Sequence, residues 1–567
     1  MKKELQLHQV PKIRSVQDMV LQSAQKYSAK LALEDLNSTP ISKVTFGELL
    51  QNILSFGASL KKLGLKEKSH VAVISENRVQ WAISFLTAMC FDMVIVPIDK
   101  NLKTNEILNI LHESDAEAII FSDAYSAMLA DAKCTLKKLK IYISMDSESE
   151  EHGFFEMKKL IRGTSGNTAD LPEIDATSLA EIIFTSGSLG RAKGVMLSQK
   201  NLASNLMDMV SMLFMYPEDR FLSVLPMHHT YECTCGMLCP LYCGSSVHYA
   251  RSLKTVVDDL QKVRATMLLA VPLLYDKMFK RIYKTIKENK IKSVIIPPLI
   301  KVTDVLSKFG WKSSKKKIFK ELHEKFGGHV RIFIAGGAAP DPLVAKGLRE
   351  FGFTFLQGYG LTETSPILAL NRLHDFKDDA AGLPLPNVEL KINNPDAEGH
   401  GEIWAKAPNV MIGYYKNEKM TRDTFDDEWF KTGDIGYIDE DGFLHISGRK
   451  KNVIISKSGK NVFPEEIEDI LNRSPFIMES LVYGEEDAKQ DEIIAVKIVV
   501  DAEAFIELSE SKNIKITTEF IQETIAKEVE KANKQLSSYK AIKKFYIREE
   551  EFEKTTTQKI KRFLVNN

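Results

Sequence analysis

The sequence predicts an α/β protein: a large N-terminal domain of doubly wound α/β layers plus a small β subdomain, hinged to a smaller α+β C-terminal domain. Three observations carry this expectation. The chain has 567 residues, too many for one hydrophobic core. Up to about residue 370, short apolar runs alternate with amphipathic helical stretches, and several runs are continuously apolar, as strands buried on both faces are. From about residue 380, Gly, Pro and Asn punctuate shorter strand patterns, and a mixed order of helices and strands follows.

Taken in order, strand patterns fall at residues 70–74, 94–96, 118–121, 140–143, 182–184, 221–225, 267–270, 331–335 and 353–356. Residues 79–98 come nearest to an uncharged apolar span. Asp92 interrupts them, so they read as a buried helix leading into the strand at Val94. Strands at 389–392, 401–405, 436–439 and 442–446 make the β subdomain, at about 380–447. The polar patch Lys450-Lys451-Asn452 separates it from a helix at 464–471, strands at 479–483 and 492–500, and a helix at 517–532. The expected division is an N-terminal domain, 1–449, and a C-terminal domain, 450–567.

Formal net charge is 0, with 44% hydrophobic and 27% charged residues. That balance is ordinary for a soluble globular protein and implies no general attraction to nucleic acid. Residues 1–15 lack an apolar signal core, and 6 cysteines in so long a chain make no disulfide framework. A cytoplasmic setting is expected, with peripheral contact to the inner membrane surface left open. Four cysteines cluster: Cys233, Cys235, Cys239 and Cys243. The last three share one helix face, which spreads the outer pair about 12 Å along the axis. One zinc with Zn–S bonds of about 2.3 Å cannot gather them, so they read as small buried residues. Between Lys277 and Lys325, 15 Lys/Arg stand against 4 Asp/Glu, with Ile282, Ile286, Val294, Ile295, Ile296 and Trp311 interleaved. This stretch reads as a solvated helical insertion or as a patch that meets anionic lipid headgroups.

Residues 184–194 read FTSGSLGRAKG. A strand feeds a loop of small residues, Thr185, Ser186, Gly187, Ser188 and Gly190, and Lys193 follows. Small residues let backbone N–H groups approach an anion, while hydroxyls and a lysine add donors and charge, so the loop suits a polyphosphate. It is not the ordinary P-loop, whose second glycine would fall at Ala192. Taken alone, it also reads as a Gly/Ser-rich turn. Downstream, AGGAAP (335–340) and QGYGLTET (357–364) each follow an expected strand, where ligands sit in open α/β sheets. The Gly358-Tyr359-Gly360 turn exposes an aromatic face suited to a purine. Thr362 offers a hydroxyl, and Glu363 a hard oxygen for Mg2+ on ATP phosphates. In FKTGD (430–434), Asp434 follows a tight Gly turn and can accept from both ribose hydroxyls. GRKKN (448–452) marks the domain boundary, and Lys559 lies in TTTQKIKR.

Together and in this order, these motifs resemble the adenylate-forming (AMP-binding) superfamily over about residues 71–562. Within it the chain is most similar to the long-chain fatty acyl-CoA synthetases, through residues 326–366, LPMHHTYE (225–232) and EKTTTQKIKR (553–562). The resemblance implies a fatty acid–CoA ligase that forms acyl-AMP from a medium- to long-chain acid and ATP, then passes the acyl group to coenzyme A. An acyl-carrier protein as acceptor, or another carboxylic acid as substrate, stays open, as does a binding protein that keeps the fold without ligating. The implied roles are these. Thr185 to Gly190 with Lys193 hold the β- and γ-phosphates, and Gly337, Ala338 and Ala339 border the adenine. Gln357, Gly358 and Gly360 flank Tyr359, which stacks on it. Thr362 and Glu363 contact the α-phosphate and Mg2+. Asp434 holds the ribose with Arg449 beside it, and Lys451 is the hinge. His229 lies near the acyl and thiol channel, Gly459 and Lys460 near the thiol, and Lys559 is the catalytic lysine.

The sequence departs from the family pattern at Leu189, where a Thr or Ser is usual, at Ala192 in place of Pro, and at Gln558 in place of Gly. Leu189 removes a hydroxyl donor from the phosphate loop, so Leu189→Thr is expected to tighten MgATP. A nucleotide titration that gives the same affinity for both forms overturns that reading.

Overall fold

The structure is a computed structural model that describes residues 7–147, 149, 152–185, 193–308, 311, 314–456, 460–486, 492–555 and 559–564. They fall into two compact units. One comprises Met1–Glu389 with Ala405–Phe430, the other Leu390–Trp404 with Lys431–Asn567.

The continuously apolar runs of the first unit become the parallel cores of two sheets. The nine-stranded sheet has the order Leu383–Pro384, Ile367–Leu370, Thr354–Gly360, Ile332–Ala335, Met267–Ala270, Arg220–Ser223, Ser246–Tyr249, Leu31–Asp35, Ser42–Thr45. Its strands from Thr354–Gly360 to Leu31–Asp35 run parallel, and antiparallel strands close both edges. The eight-stranded sheet has the order Gly413–Tyr414, Lys193–Ser198, Leu179–Thr185, Val94–Pro97, His70–Ile74, Ala118–Phe121, Ile141–Ser144, Phe155–Glu156. Helix Val79–Cys90 is buried on every side and packs against strands of both sheets, as an all-round apolar helix must. Helix Gln199–Met212 does the same. Its start is fixed by a reciprocal cap: Ser198 N–H donates to Asn201 Oδ1 at 2.8 Å and Asn201 N–H to Ser198 Oγ at 3.1 Å.

All nine strands expected in this region are present, at bounds within a few residues of the expected ones. Strands Leu31–Asp35, Ser246–Tyr249 and Lys193–Ser198 were not expected. The first two carry polar residues that only their pairing explains. Glu34 and His248 stand opposite each other on adjacent parallel strands, joined at 2.6 Å with both residues buried. The His248 hydrogen bond outweighs burial and, with Lys43, holds the Glu34 carboxyl at about 2. The cysteine segment is a π-helix, Tyr231–Leu238, running into helix Cys239–Cys243. Pro240 stands at the junction of the two, where it removes one N–H donor from the run. Cys233, Cys235 and Cys239 are buried, Cys243 partly so. Among the described residues no cluster of metal-ligating side chains forms.

Glu181 stands at the centre of the eight-stranded sheet, opposite Ile95. It is 1% exposed, and its Oε1 finds no partner among the described residues. Burial pushes its carboxyl up to about 8. The unfolded chain releases this proton near pH 4.5, whereas the folded chain keeps it to about 8. Stability therefore falls as pH rises through that window and levels off above it. Glu181→Gln keeps the neutral shape and removes this slope. The variant's gain in melting temperature should be larger at pH 8 than at pH 5; equal gains at both pH values overturn the assignment.

In the second unit, strands Glu389–Asn393, Gly401–Lys406, Trp429–Ile438 and Leu444–Arg449 adjoin in that order. A separate sheet pairs Ile477–Glu486 antiparallel with Glu492–Val500, which in turn pairs parallel with Lys544–Arg548. The parallel partner was not expected. It needs a crossover, which helices Ala502–Lys512 and Thr518–Asn533 supply. Helix Pro464–Leu471 and strand Glu492–Val500 have the expected bounds. Ile467, Val482, Val496, Ile498, Phe505 and Ile525 form the core.

Candidate active site

In the first unit, Thr185 ends one strand and Lys193 begins the next, directly opposite in an antiparallel hairpin. Ser186, Gly187, Ser188, Leu189, Gly190 and Ala192 come between them in the sequence and lie outside the described residues. Thr185 Oγ1 is buried and has no hydrogen-bond partner among the described residues. Lys193 Nζ donates to Glu363 Oε1 at 2.6 Å and to the Tyr414 hydroxyl at 3.0 Å. That hydroxyl donates to Glu363 Oε1 at 2.9 Å. Burial alone would raise the Glu363 carboxyl, but the charge and hydrogen bond of Lys193, with Tyr414, outweigh it and hold it below its ordinary value. The Lys193 ammonium is raised in turn, Glu363 overcoming the desolvation that would lower it. Burial and the Glu363 charge push the Tyr414 phenol up to about 12.

Tyr414 was missed in the sequence. Strand Gly413–Tyr414 pairs with Lys193–Ser198, which puts Tyr414 beside a lysine 221 positions away. The only local signal is a glycine before two tyrosines. Gly413 has φ +154 and would clash with Thr421 if it carried a Cβ.

Residues 337–339 follow strand Ile332–Ala335, and residues 358–360 follow the parallel-paired part of the neighbouring strand, Ala335 standing opposite Gln357. Gly337, Ala338 and Ala339 are exposed just beyond strand Ile332–Ala335. The Gly-Tyr-Gly segment is not a turn after a strand. Strand Thr354–Gly360 runs through it, exchanging its parallel partner for Ile367–Leu370, which runs antiparallel. A side chain at Gly360 would put its Cβ 1.8 Å from the Pro366 carbonyl oxygen, so the crossing needs glycine there. Tyr359 is partly exposed. The Gln357 amide donates to the Asp378 carbonyl at 3.1 Å and also reaches that of Ala380, pinning the following loop. Thr362 and Glu363 sit in a 3₁₀ turn, Thr362–Thr364. Asn409, buried, donates to the Thr364 and Ile367 carbonyls and holds that turn.

The LPMHHTYE segment is held by Asn77, a residue that sequence reasoning passed over. Its amide donates to the Leu225 carbonyl at 2.6 Å, and its Oδ1 accepts from Met227 N–H at 3.1 Å. His229 is partly exposed. His228, whose ring centroid lies 4.6 Å away at a tilt of 38°, is buried and lowered to about 3 by desolvation and the Lys100 charge. It is therefore neutral, and its 3.5 Å approach to Asp99 is not an ion pair. The π-helix that follows, with the first residue of the helix after it, places Tyr231, Cys235 and Cys239 against Met209, Ile334 and Leu370. These six help to line an apolar cavity of about 30 Å³ under the strand that carries Gly358.

In the second unit, residues 430–434 lie inside strand Trp429–Ile438, not at a turn between strands. Gly433, at φ +72, supplies the left-handed step that a side chain would strain. Asp434 is 5% exposed. It faces Arg449 on the adjacent strand and accepts from Arg449 Nε at 2.7 Å. Thr432 Oγ1 accepts from Asp434 N–H at 3.1 Å and donates to the Ile403 carbonyl at 2.7 Å. Lys451 is exposed in the 3₁₀ turn Lys450–Asn452. Gly459 and Gln558 lie outside the described residues, and Lys460 Nζ stands 4.7 Å over the Tyr539 ring. Lys559 pairs with Thr555, its N–H donating to Thr555 Oγ1 at 3.2 Å and its carbonyl accepting from Thr555 N–H at 2.8 Å. Although the residue is exposed by surface area, its setting lowers the ammonium pKa. Desolvation is the first cause and the Arg449 charge the second, with Asp434 opposing.

The chain belongs to the AMP-binding enzyme family. That family's model matches residues 20–415, and the model of the AMP-binding enzyme C-terminal domain matches residues 466–559. Among curated proteins, the chain is similar to long-chain-fatty-acid–CoA ligase FadD15 of Mycobacterium bovis, at 28% identity over 92% of this chain and 90% of that one. It is also similar to the chloroplastic long-chain-fatty-acid–[acyl-carrier-protein] ligase AEE15 of Arabidopsis thaliana, at 27% identity over 85% of this chain and 76% of that one. In fold it matches ATP-bound MatB from Rhodopseudomonas palustris with TM-score 0.77 and 24% identity, covering 97% of this chain and 98% of that one. The anthranilate CoA ligase AuaEII in complex with anthranoyl-AMP matches with TM-score 0.78 and 20% identity, over 98% and 97%.

Proposed function

We propose that this protein is an ATP-dependent acid–thiol ligase. The carboxylate of a medium- to long-chain fatty acid attacks the α-phosphate of ATP, giving acyl-AMP and pyrophosphate. The thiol of coenzyme A then attacks the acyl carbonyl, forming the thioester and releasing AMP. The observation that carries this reading is the Lys193–Glu363–Tyr414 cluster, with Glu363 and Tyr414 buried and Lys193 partly so, next in sequence to the small-residue segment. It keeps a cation and a carboxylate desolvated and in register, as a site for a triphosphate requires. Glu363 offers one carboxylate, which suits a Mg2+ that takes its other ligands from phosphates and water. When bound, the metal offsets phosphate charge.

The other roles follow the residue chemistry. The triphosphate competes with Glu363 for Lys193, and residues 185–190 add donors. Gly337, Ala338 and Ala339 border the adenine, and Tyr359 stacks on it. Thr362 donates to the α-phosphate. Asp434, oriented by Arg449, accepts from the ribose hydroxyls. Lys559 offsets the charge that develops as two anions combine, and Lys451 is the hinge about which residues 450–567 move. His229 lies at the channel for the acyl and thiol groups. The apolar lining of the cavity, which includes the adaptable side chains Met209 and Met215, suits an aliphatic group, although as it stands the cavity has room for only about one water-sized group.

The relatives' names favour coenzyme A or a carrier protein as acceptor. A panel of acids from acetate to palmitate, scored by pyrophosphate release, tests the activation step. Thioester yield with free CoA against holo-carrier protein tests the acceptor. Release that peaks at medium to long chains and CoA thioester formation are expected. No acid-dependent pyrophosphate release overturns the ligase reading, and a maximum at short or aromatic acids overturns the fatty-acid reading.

A further inference from the structure

Helix Lys290–Lys308 is apolar on two faces. One face, with Ile296, Leu299 and Ile300, packs on the core of the first unit, and Thr303 is fully buried with it. The other is open to solvent: Ile291 is 69% exposed, Val294 72%, Ile295 48%, Val302 51% and Val305 53%. At about 100° per residue these five, with the exposed Pro298, fall within an arc of roughly 100°. Trp311, 68% exposed, comes three residues after the helix. Scattered exposed apolar side chains need no explanation, but a continuous ridge four turns long does.

Cations border the ridge. Lys290 and Lys301 project along one flank of the same helix, Lys280 and Lys287 lie on helix Pro272–Glu288 before it, and Lys316 and Lys317 on helix Ser314–Ile318 after it, all exposed. The one acidic residue within the helix, Asp304, is paired with Lys315 at 2.6 Å. An acidic protein would complement the cations and leave the apolar ridge in water. A bilayer interface complements both, with apolar side chains at the acyl boundary and ammonium groups at the level of anionic headgroups. Among the described residues no helix is long and apolar enough to cross a membrane, so the mode is lying on the surface.

We propose that helix Lys290–Lys308 seats its 291–305 face in the headgroup region of an anionic lipid bilayer. This is independent of the ligase reading. The test is co-sedimentation of the full chain with sucrose-loaded vesicles of phosphatidylcholine alone or with about 30 mol% phosphatidylglycerol. Partitioning at least about tenfold stronger to the anionic vesicles is expected, weakening as salt is added. Val294→Asp/Val302→Asp, at exposed positions, should lower it at least about tenfold with the melting temperature unchanged. Lys290→Glu/Lys301→Glu should do the same for anionic vesicles. Equal partitioning to both vesicle types, or wild-type binding by the Asp variant, overturns the proposal. So does an effect of these variants on oligomeric state, or on retention by an acidic carrier protein, with vesicle binding unchanged.

Discussion

Lys193→Met is expected to lower stability at neutral pH by about 3–5 kcal/mol, the usual cost of breaking a buried ion pair by removing one partner. Glu363 is 7% exposed and takes its compensation from Lys193 at 2.6 Å and from a phenol at 2.9 Å. Without the ammonium, burial becomes the dominant influence and the carboxyl takes up a proton. The sign with pH follows. In the wild type Glu363 is depressed below its ordinary value of 4.5, so it contributes stability that is present above that value and is lost as pH falls through its folded value. The gap between wild type and variant is therefore widest near pH 7–8 and narrows towards pH 4. Thermal unfolding at pH 7.5 and 5 reads this directly, and a gap that does not change with pH contradicts it. The double variant Lys193→Met/Glu363→Gln removes both charges and should regain most of the loss, so that it is destabilised by less than the two single variants together. On the proposed function, both variants also lose MgATP binding, which separates the phosphate role of Lys193 from its structural one.

Lys559→Ala is expected to slow acyl-adenylate formation about 10²- to 10³-fold, the range for removing one group that offsets developing charge. It should leave transfer from preformed acyl-AMP to CoA nearly unchanged. The two half-reactions can be measured separately, by pyrophosphate release and by thioester formation from synthetic acyl-AMP. Lys559→Arg keeps the charge but replaces a compact ammonium with a planar fork, so partial recovery is expected. Equal slowing of both steps would assign Lys559 to general architecture, and no slowing of either would remove it from the chemistry. Because desolvation and Arg449 lower the Lys559 pKa, Arg449→Gln should raise it and shift the alkaline limb of the adenylation profile upwards.

The parallel strands of the first unit were legible because strands covered on both faces are apolar throughout, which leaves a local signature. Leu31–Asp35 and Ser246–Tyr249 had none. Their buried Glu34 and His248 make sense only as partners across 214 positions. The motif residues were legible one by one, since glycines at close approaches and a carboxylate or lysine beside them are local features. Gly360 is required by the Pro366 carbonyl and Gly433 by its positive φ. Tyr414, Asn77 and Asn409 were not legible. Each acts through a hydrogen bond to a distant segment, and tyrosine and asparagine occur in many settings without one.

By itself, the sequence determined the α/β class, the ordered set of small-residue, aromatic and carboxylate-bearing motifs, and the cationic stretch with apolar residues between 277 and 325. These depend on residue type and short spacing, which the chain carries wherever it folds. Only the tertiary structure decided that Lys193 is committed to Glu363 and Tyr414, that Asp434 is oriented by Arg449, and that the residues between 291 and 305 split into a core-facing side and an exposed ridge. Those are facts of pairing and burial. Which groups lose water together, and which face the solvent, is fixed by contacts between segments far apart in the chain.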